Sequence, residues 1–79
     1  QRRYMLKKEL EQLGFICFPS DANFIFLKSN ITHLDRRLKE KGILIRGFNT
    51  LKDYYRITVG NTYQNEMLIQ NLKEIIREN

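Results

Sequence analysis

The sequence predicts an α+β two-layer sandwich, with helices on one face of a four-stranded sheet. Three observations carry that prediction. Apolar residues recur at spacings of three and four in three separate segments, each the signature of a helix burying one stripe. Between those segments lie short apolar or alternating runs of strand length, bounded by turn residues, so the order along the chain reads α-β-β-α-β-β-α. One strand is apolar on both faces while another alternates, which is what a sheet covered by helices on one side and by something else on the other produces.

The first helix is expected over residues 3 to 13, where Leu6, Leu10 and Leu13 form a stripe between lysines and glutamates, with Gly14 as its stop. Phe15 to Phe18 is an apolar run closed by the turn residues Pro19-Ser20-Asp21, and Asn23 to Leu27 is a second run, so the two read as neighbouring antiparallel strands. Phe24-Ile25-Phe26-Leu27 is apolar on both faces, as a central strand is. A second helix is expected from Asn30, with Asn30 as N-cap, Ile31, Leu34 and Leu38 as its buried stripe, and Gly42 as its stop after Lys39 and Lys41. Ile43-Leu44-Ile45 makes the third strand, and Gly47 to Asp53 is polar and turn-like. The fourth strand follows at Tyr55 to Val59 and ends at Gly60. Asn61 or Thr62 caps the last helix, whose stripe is Leu68, Leu72 and Ile75, widened by Ile69 and Ile76. No internal repeat, low-complexity tract or linker interrupts the pattern, so residues 1–79 form one domain.

A domain of 79 residues sits near the size at which one core supplies only about 3–5 kcal/mol. The chain opens on Gln1 and enters a helical pattern at once, without a basic and apolar leader, and is expected to be a segment of a longer protein. No apolar run approaches the ~20 residues that span a bilayer. Cys17 is the single cysteine and His33 the single histidine, so neither a disulfide framework nor a set of metal ligands is available. Cys17 reads as a small strand hydrophobe and His33 as a solvent-facing helix residue. The net charge of +5 suits an anionic substrate, an acidic partner or nucleic acid, but the basic residues are interleaved with acids along the helices.

The functional signal lies in Tyr55-Arg56-Ile57-Thr58-Val59-Gly60. Successive strand side chains point to opposite faces, so Tyr55, Ile57 and Val59 share the apolar face and Arg56 and Thr58 the other. A guanidinium is always charged and presents a planar fork of donors matched to carboxylate or phosphate. Arg56 is therefore either a solvated arginine on an open sheet face or a ligand for an anion. The partly apolar character of that face, shared with one side of the 24–27 strand, favours docking against another domain with an anionic ligand at the join.

The run Pro19-Ser20-Asp21-Ala22-Asn23-Phe24-Ile25-Phe26-Leu27, the run Leu38-Lys39-Glu40-Lys41-Gly42-Ile43-Leu44-Ile45-Arg46, and Tyr55-Arg56-Ile57-Thr58-Val59-Gly60 with Asn65-Glu66 together resemble the C-terminal small domain of the histidinol-phosphate aminotransferase family. The resemblance covers nearly the whole chain and keeps order and spacing. It implies the small domain of a fold-type I pyridoxal-phosphate enzyme of histidine biosynthesis, and it implies that Arg56 holds the anionic end of a phosphorylated or carboxylated amino-acid substrate. Arg46 falls at a second family position near the same site, although Gly47 stands where the family usually has aspartate. Asn23 resembles a position near the domain junction, and a turn hydrogen bond explains it as well. Tyr54 and Tyr55 read as packing residues with wet hydroxyls.

The same resemblance places the Schiff-base lysine, the aspartate facing the pyridine nitrogen and the phosphate cradle in a preceding large domain. Lys7, Lys8, Lys28, Lys39, Lys41, Lys52 and Lys73 are read as solvated surface, so no catalytic, cofactor-binding or metal residue is assigned here. Pyridoxal 5'-phosphate is expected in the full-length enzyme and not on this segment, which is expected to be inactive alone. The implied partners are the large domain of the same chain and a second subunit in a cytoplasmic homodimer, with no nucleic acid and no membrane. A threonine-phosphate decarboxylase or an aromatic aminotransferase has a similar small domain, and a free-standing basic binding module or a purely structural docking domain is the reading from another class.

Overall fold

The computed structural model describes residues 1–79 as α1 (Arg2–Gln12), β1 (Ile16–Phe18), β2 (Phe24–Lys28), α2 (Leu34–Glu40), β3 (Arg46–Gly47), β4 (Tyr54–Thr58) and α3 (Thr62–Glu78), in the predicted order. The first two helices end by one device. Gly14 and Gly42 adopt φ of +100° and +84°, the left-handed region that a Cβ disfavours. At the end of α1 the Gly14 amide donates to the Glu11 carbonyl and the Phe15 amide to the Leu10 carbonyl. At the end of α2 the Gly42 amide donates to Lys39 and the Ile43 amide to Leu38. These are paired Schellman closures, each with an apolar residue after the glycine folding back towards the helix it ends.

That closure corrects the third strand. Residues 43–45 keep the in-and-out alternation of a strand, with Ile43 and Ile45 packed against the core and Leu44 exposed, yet they form no ladder. The Ile43 amide is already committed to the helix end, and pairing starts only at Arg46, so β3 is Arg46–Gly47. Gly47 accordingly belongs to a strand and not to the loop.

The second helix also starts later than its apolar spacing suggests. Ser29, 2 % exposed, accepts the Ile31 amide on its hydroxyl at 2.9 Å, a local turn that competes with helix for the same backbone. Ile31 is buried from this turn rather than from a helix, and Asn30 is not the N-cap. His33 holds that position at φ 57° with no side-chain cap, so it is exposed at the entry to the helix and not along it. The final helix follows expectation. Asn61 accepts the Gln64 amide at 2.8 Å while the Gln64 side chain accepts the Asn61 amide at 2.9 Å, a capping box.

The strands form one antiparallel sheet in the order β1-β2-β4-β3, which places β2 and β4 inside. All three helices lie on one face. Ile25, Leu27, Tyr55 and Ile57 point into that layer and join Leu6, Leu10, Leu34, Leu38, Leu68, Ile69, Leu72 and Ile75 in one core. Lys41 pairs with Glu74 and Glu78, and Arg37 with Glu78, across the α2–α3 contact. No helix is long and apolar enough to cross a membrane.

Candidate functional site

The inner strands give the sheet two unlike faces. In the β2–β4 register Phe26 lies opposite Arg56, and in the β3–β4 register Arg46 lies opposite the same Arg56. With Phe18 opposite Phe26 on β1, the open face carries a row Phe18, Phe26, Arg56, Arg46 running across all four strands. Directly opposed residues share a face, so both sequence-predicted arginines stand together on the side the helices leave bare. Arg56 is half-buried and Arg46 exposed. Every ion pair in the chain is made by Lys7, Arg37 or Lys41, so neither arginine has a carboxylate within 4.0 Å.

Aromatic rings surround the arginine row. The guanidinium carbon of Arg56 lies 4.3 Å from the centroid of the Phe24 ring, and Lys28 Nζ lies 5.8 Å from that of Tyr54. Phe26 stacks on Tyr54 at 5.5 Å between centroids and meets Phe48 edge-on at the same distance, while Phe18 contacts both Phe26 and Tyr54. The second apolar side of the central strand is thus covered only by its own neighbours, and Ile16 at its margin is 56 % exposed. Two clefts, of about 300 and 410 Å³, lie nearby, one beside Thr32, Asp35 and Lys52 and bordered by Phe48 and Tyr54 of the aromatic cluster, the other beside Ile45, Tyr63 and Met67. Neither includes Arg46 or Arg56. The arginine row is an open wall, and a pocket built on it needs a second wall from outside these 79 residues.

Other predicted positions fall as follows. Asn23 is exposed, its amide bonded to Asp21 Oδ1 and its carbonyl accepting from the Val59 amide. Tyr54 sits on the open face, but Tyr55 does not have a wet hydroxyl. It is 5 % exposed, and its oxygen accepts the Leu34 amide at 3.2 Å, satisfying one donor at the start of α2 where no side-chain cap exists. Burial pushes its hydroxyl above the ordinary value of 10.0, with Asp35 and Asp53 adding to the effect against the opposing backbone hydrogen bonds. Cys17 lines the core side of β1, and burial together with Glu11 raises its thiol above 9.0, the setting of an inert cysteine. No group of three or more His, Cys, Asp or Glu residues stands close enough to hold a metal ion.

No lysine is buried, and Lys7 and Lys41 are held in ion pairs. Two features escaped sequence reasoning. The Phe24 ring against Arg56 follows from a diagonal cross-strand relation that is invisible until the β2–β4 register is known. Asn65, quoted only as part of a motif, is 8 % exposed and clasps Gly60, accepting its amide and donating to its carbonyl.

No family model matches the chain. It is 43% identical over 79 residues to histidinol-phosphate aminotransferase 1 of Nostoc, covering 94% of this chain and 22% of that protein. It is 42% identical to the histidinol-phosphate aminotransferase of Acinetobacter baylyi, covering 96% of this chain and again 22% of the relative. Among solved structures, the histidinol-phosphate aminotransferase of Clostridium acetobutylicum superimposes with a TM-score of 0.85 at 28% identity, covering 99% of this chain and 26% of that one. The chain is therefore similar along nearly its whole length to these aminotransferases while spanning about a fifth to a quarter of theirs.

Proposed function

We propose, on the premise that this chain is the C-terminal small domain of a pyridoxal-phosphate-dependent histidinol-phosphate aminotransferase, that it supplies the arginines that grip the substrate's anionic end and closes the active site against a larger domain. The observation that carries the reading is the register that sets Arg46 directly opposite Arg56 on the open sheet face, with no carboxylate paired to either. Two like charges opposed across a strand pair are destabilising on their own, and a phosphate or carboxylate between them turns that cost into two charge-assisted, fork-shaped contacts. Arg56, set on an inner strand with its guanidinium over the Phe24 ring, is the principal anchor; Arg46, on the edge strand, is the second.

Pyridoxal phosphate, bound by the rest of the polypeptide, supplies the aldehyde and the electron sink for nitrogen transfer. What this domain does is orient: an anion held at the arginine row fixes where the substrate amine lies, and such positioning is worth a large share of a catalytic barrier. The aromatic open face supports the docking of the larger domain, since an exposed apolar patch rimmed by polar residues marks an interaction surface. Closure of the two walls excludes water from the anion site. A soluble homodimer in the cytoplasm, inactive when reduced to this segment, belongs to the same reading.

The test is the activity of the full-length protein. Transfer of the amino group from histidinol phosphate to a 2-oxo acid, in preference to an aromatic amino acid, is the expected result. Carbon dioxide release from threonine phosphate places the enzyme among the decarboxylases, and a polypeptide with no cofactor-binding domain beside these residues overturns the enzymatic reading in favour of a free-standing module.

A further inference from the structure

We infer that Phe24 is a positioning residue for substrate binding: its ring holds the Arg56 guanidinium flat against the sheet so that the donor fork projects from the open face at a fixed angle. The inference rests on the proposed role of Arg56 and adds to it the part that orients that arginine. Arginine is a long side chain that loses rotamer freedom on binding, and its planar fork is useful to an anion only when the plane is pre-set. Nothing polar in this chain sets it. The Arg56 side chain has no hydrogen bond or ion pair with any other residue, although it is half-buried. The one defined contact of its guanidinium is the Phe24 ring, with the central carbon 4.3 Å from the ring centroid.

The geometry suits orientation without competition. A cation over a ring face is held by the ring's quadrupole and not by a hydrogen-bond acceptor, so the cation–π contact leaves the N–H donors without a competing carboxylate and available to an anion. A carboxylate partner in the same place would hold the side chain equally well but would occupy the fork. Phe24 itself is well fixed. It stands on inner strand β2, its Cα partner in β4 is Thr58, and the carbonyl of Phe24 accepts the Ser20 hydroxyl while its amide donates to the Asp21 carbonyl. The diagonal relation from Phe24 to Arg56, two residues from Thr58, is the reach over which aromatic side chains contact across an antiparallel pair.

The experiment compares Phe24→Leu, Phe24→Tyr and Arg56→Gln in the full-length enzyme, reading KM for histidinol phosphate and kcat separately, with thermal unfolding to show that each variant folds. Phe24→Leu keeps an apolar side chain without a π face. It is expected to lower kcat/KM about tenfold, because misplacement of a substrate clamp by ~1 Å already costs up to a hundredfold. Phe24→Tyr keeps the ring and is expected to restore the wild-type kcat/KM. A kcat/KM for Phe24→Leu equal to wild type, in an enzyme where Arg56→Gln is impaired, overturns the inference and leaves the arginine site standing. An Arg56→Gln enzyme with unchanged kcat/KM overturns both. Equal impairment of Phe24→Leu and Phe24→Tyr also overturns it, since packing rather than the ring face is then what matters.

Discussion

Arg46 and Arg56 are direct Cα partners in the β3–β4 antiparallel pair, on the face that no helix covers, and neither has an acidic partner in the chain. A fold under selection for stability alone gains nothing from this arrangement, since opposed like charges cost a few tenths to about 1 kcal/mol relative to neutral pairs.

The first prediction follows from that cost. Arg46→Gln keeps a polar, unbranched side chain on the exposed edge strand, removes the repulsion, and is expected to raise the stability of the ligand-free protein by roughly 0.2–1 kcal/mol. Chemical denaturation at low ionic strength checks it, and the gain should shrink with added salt as the repulsion is screened. A loss of stability on this substitution shows that Arg46 makes a favourable contact of its own.

A second prediction concerns the turn between β4 and α3. Asn65 is buried and satisfies both backbone groups of Gly60, its Oδ1 2.9 Å from the amide and its Nδ2 3.1 Å from the carbonyl. Asn65→Ala strips both partners at once and is expected to cost about 1–3 kcal/mol. The denaturation midpoint should fall with the slope unchanged, as befits a loss of native-state contacts.

Much of this was legible in the sequence because the governing signals were local. The stripes of the first and last helices, the two glycine stops, the alternation through Tyr55, Arg56, Ile57 and Thr58 and the capping asparagine all act within a few residues of themselves, and each is where pattern placed it. The errors arose where backbone hydrogen bonds were already committed. Ile31, Leu34 and Leu38 have helical spacing, yet the Ser29 hydroxyl holds Ile31 in a turn and moves the helix start to Leu34. Ile43-Leu44-Ile45 has strand composition, yet the end of α2 takes the Ile43 amide. At the site, alternation put Arg56 on the open face, but its opposition to Arg46 and its contact with Phe24 are matters of register and pairing across distant strands.

The Tyr55 hydroxyl gives a prediction in pH. Near pH 7 the Tyr55→Phe protein leaves the Leu34 amide without its acceptor and should be about 1 kcal/mol less stable. Burial raises the hydroxyl above 10.0 in the folded state, so the neutral tyrosine is favoured by folding. That stabilisation is fully present below pH 10 and is lost as the pH climbs through the folded-state value, because the unfolded chain releases its proton first. The two proteins should therefore converge in stability on the alkaline side, a trend read from urea denaturation at rising pH. A gap that widens there contradicts a buried, hydrogen-bonded hydroxyl.

The most direct measurement of the central claim is a double-mutant cycle of Arg46→Gln and Arg56→Gln in the full-length enzyme, followed in kcat/KM for histidinol phosphate. If both arginines hold one anion, Arg56→Gln alone should cost about a hundredfold, Arg46→Gln less, and the double variant clearly less than the product of the two. A wild-type kcat/KM for Arg56→Gln, or losses that multiply independently, contradicts a shared anion site on this face.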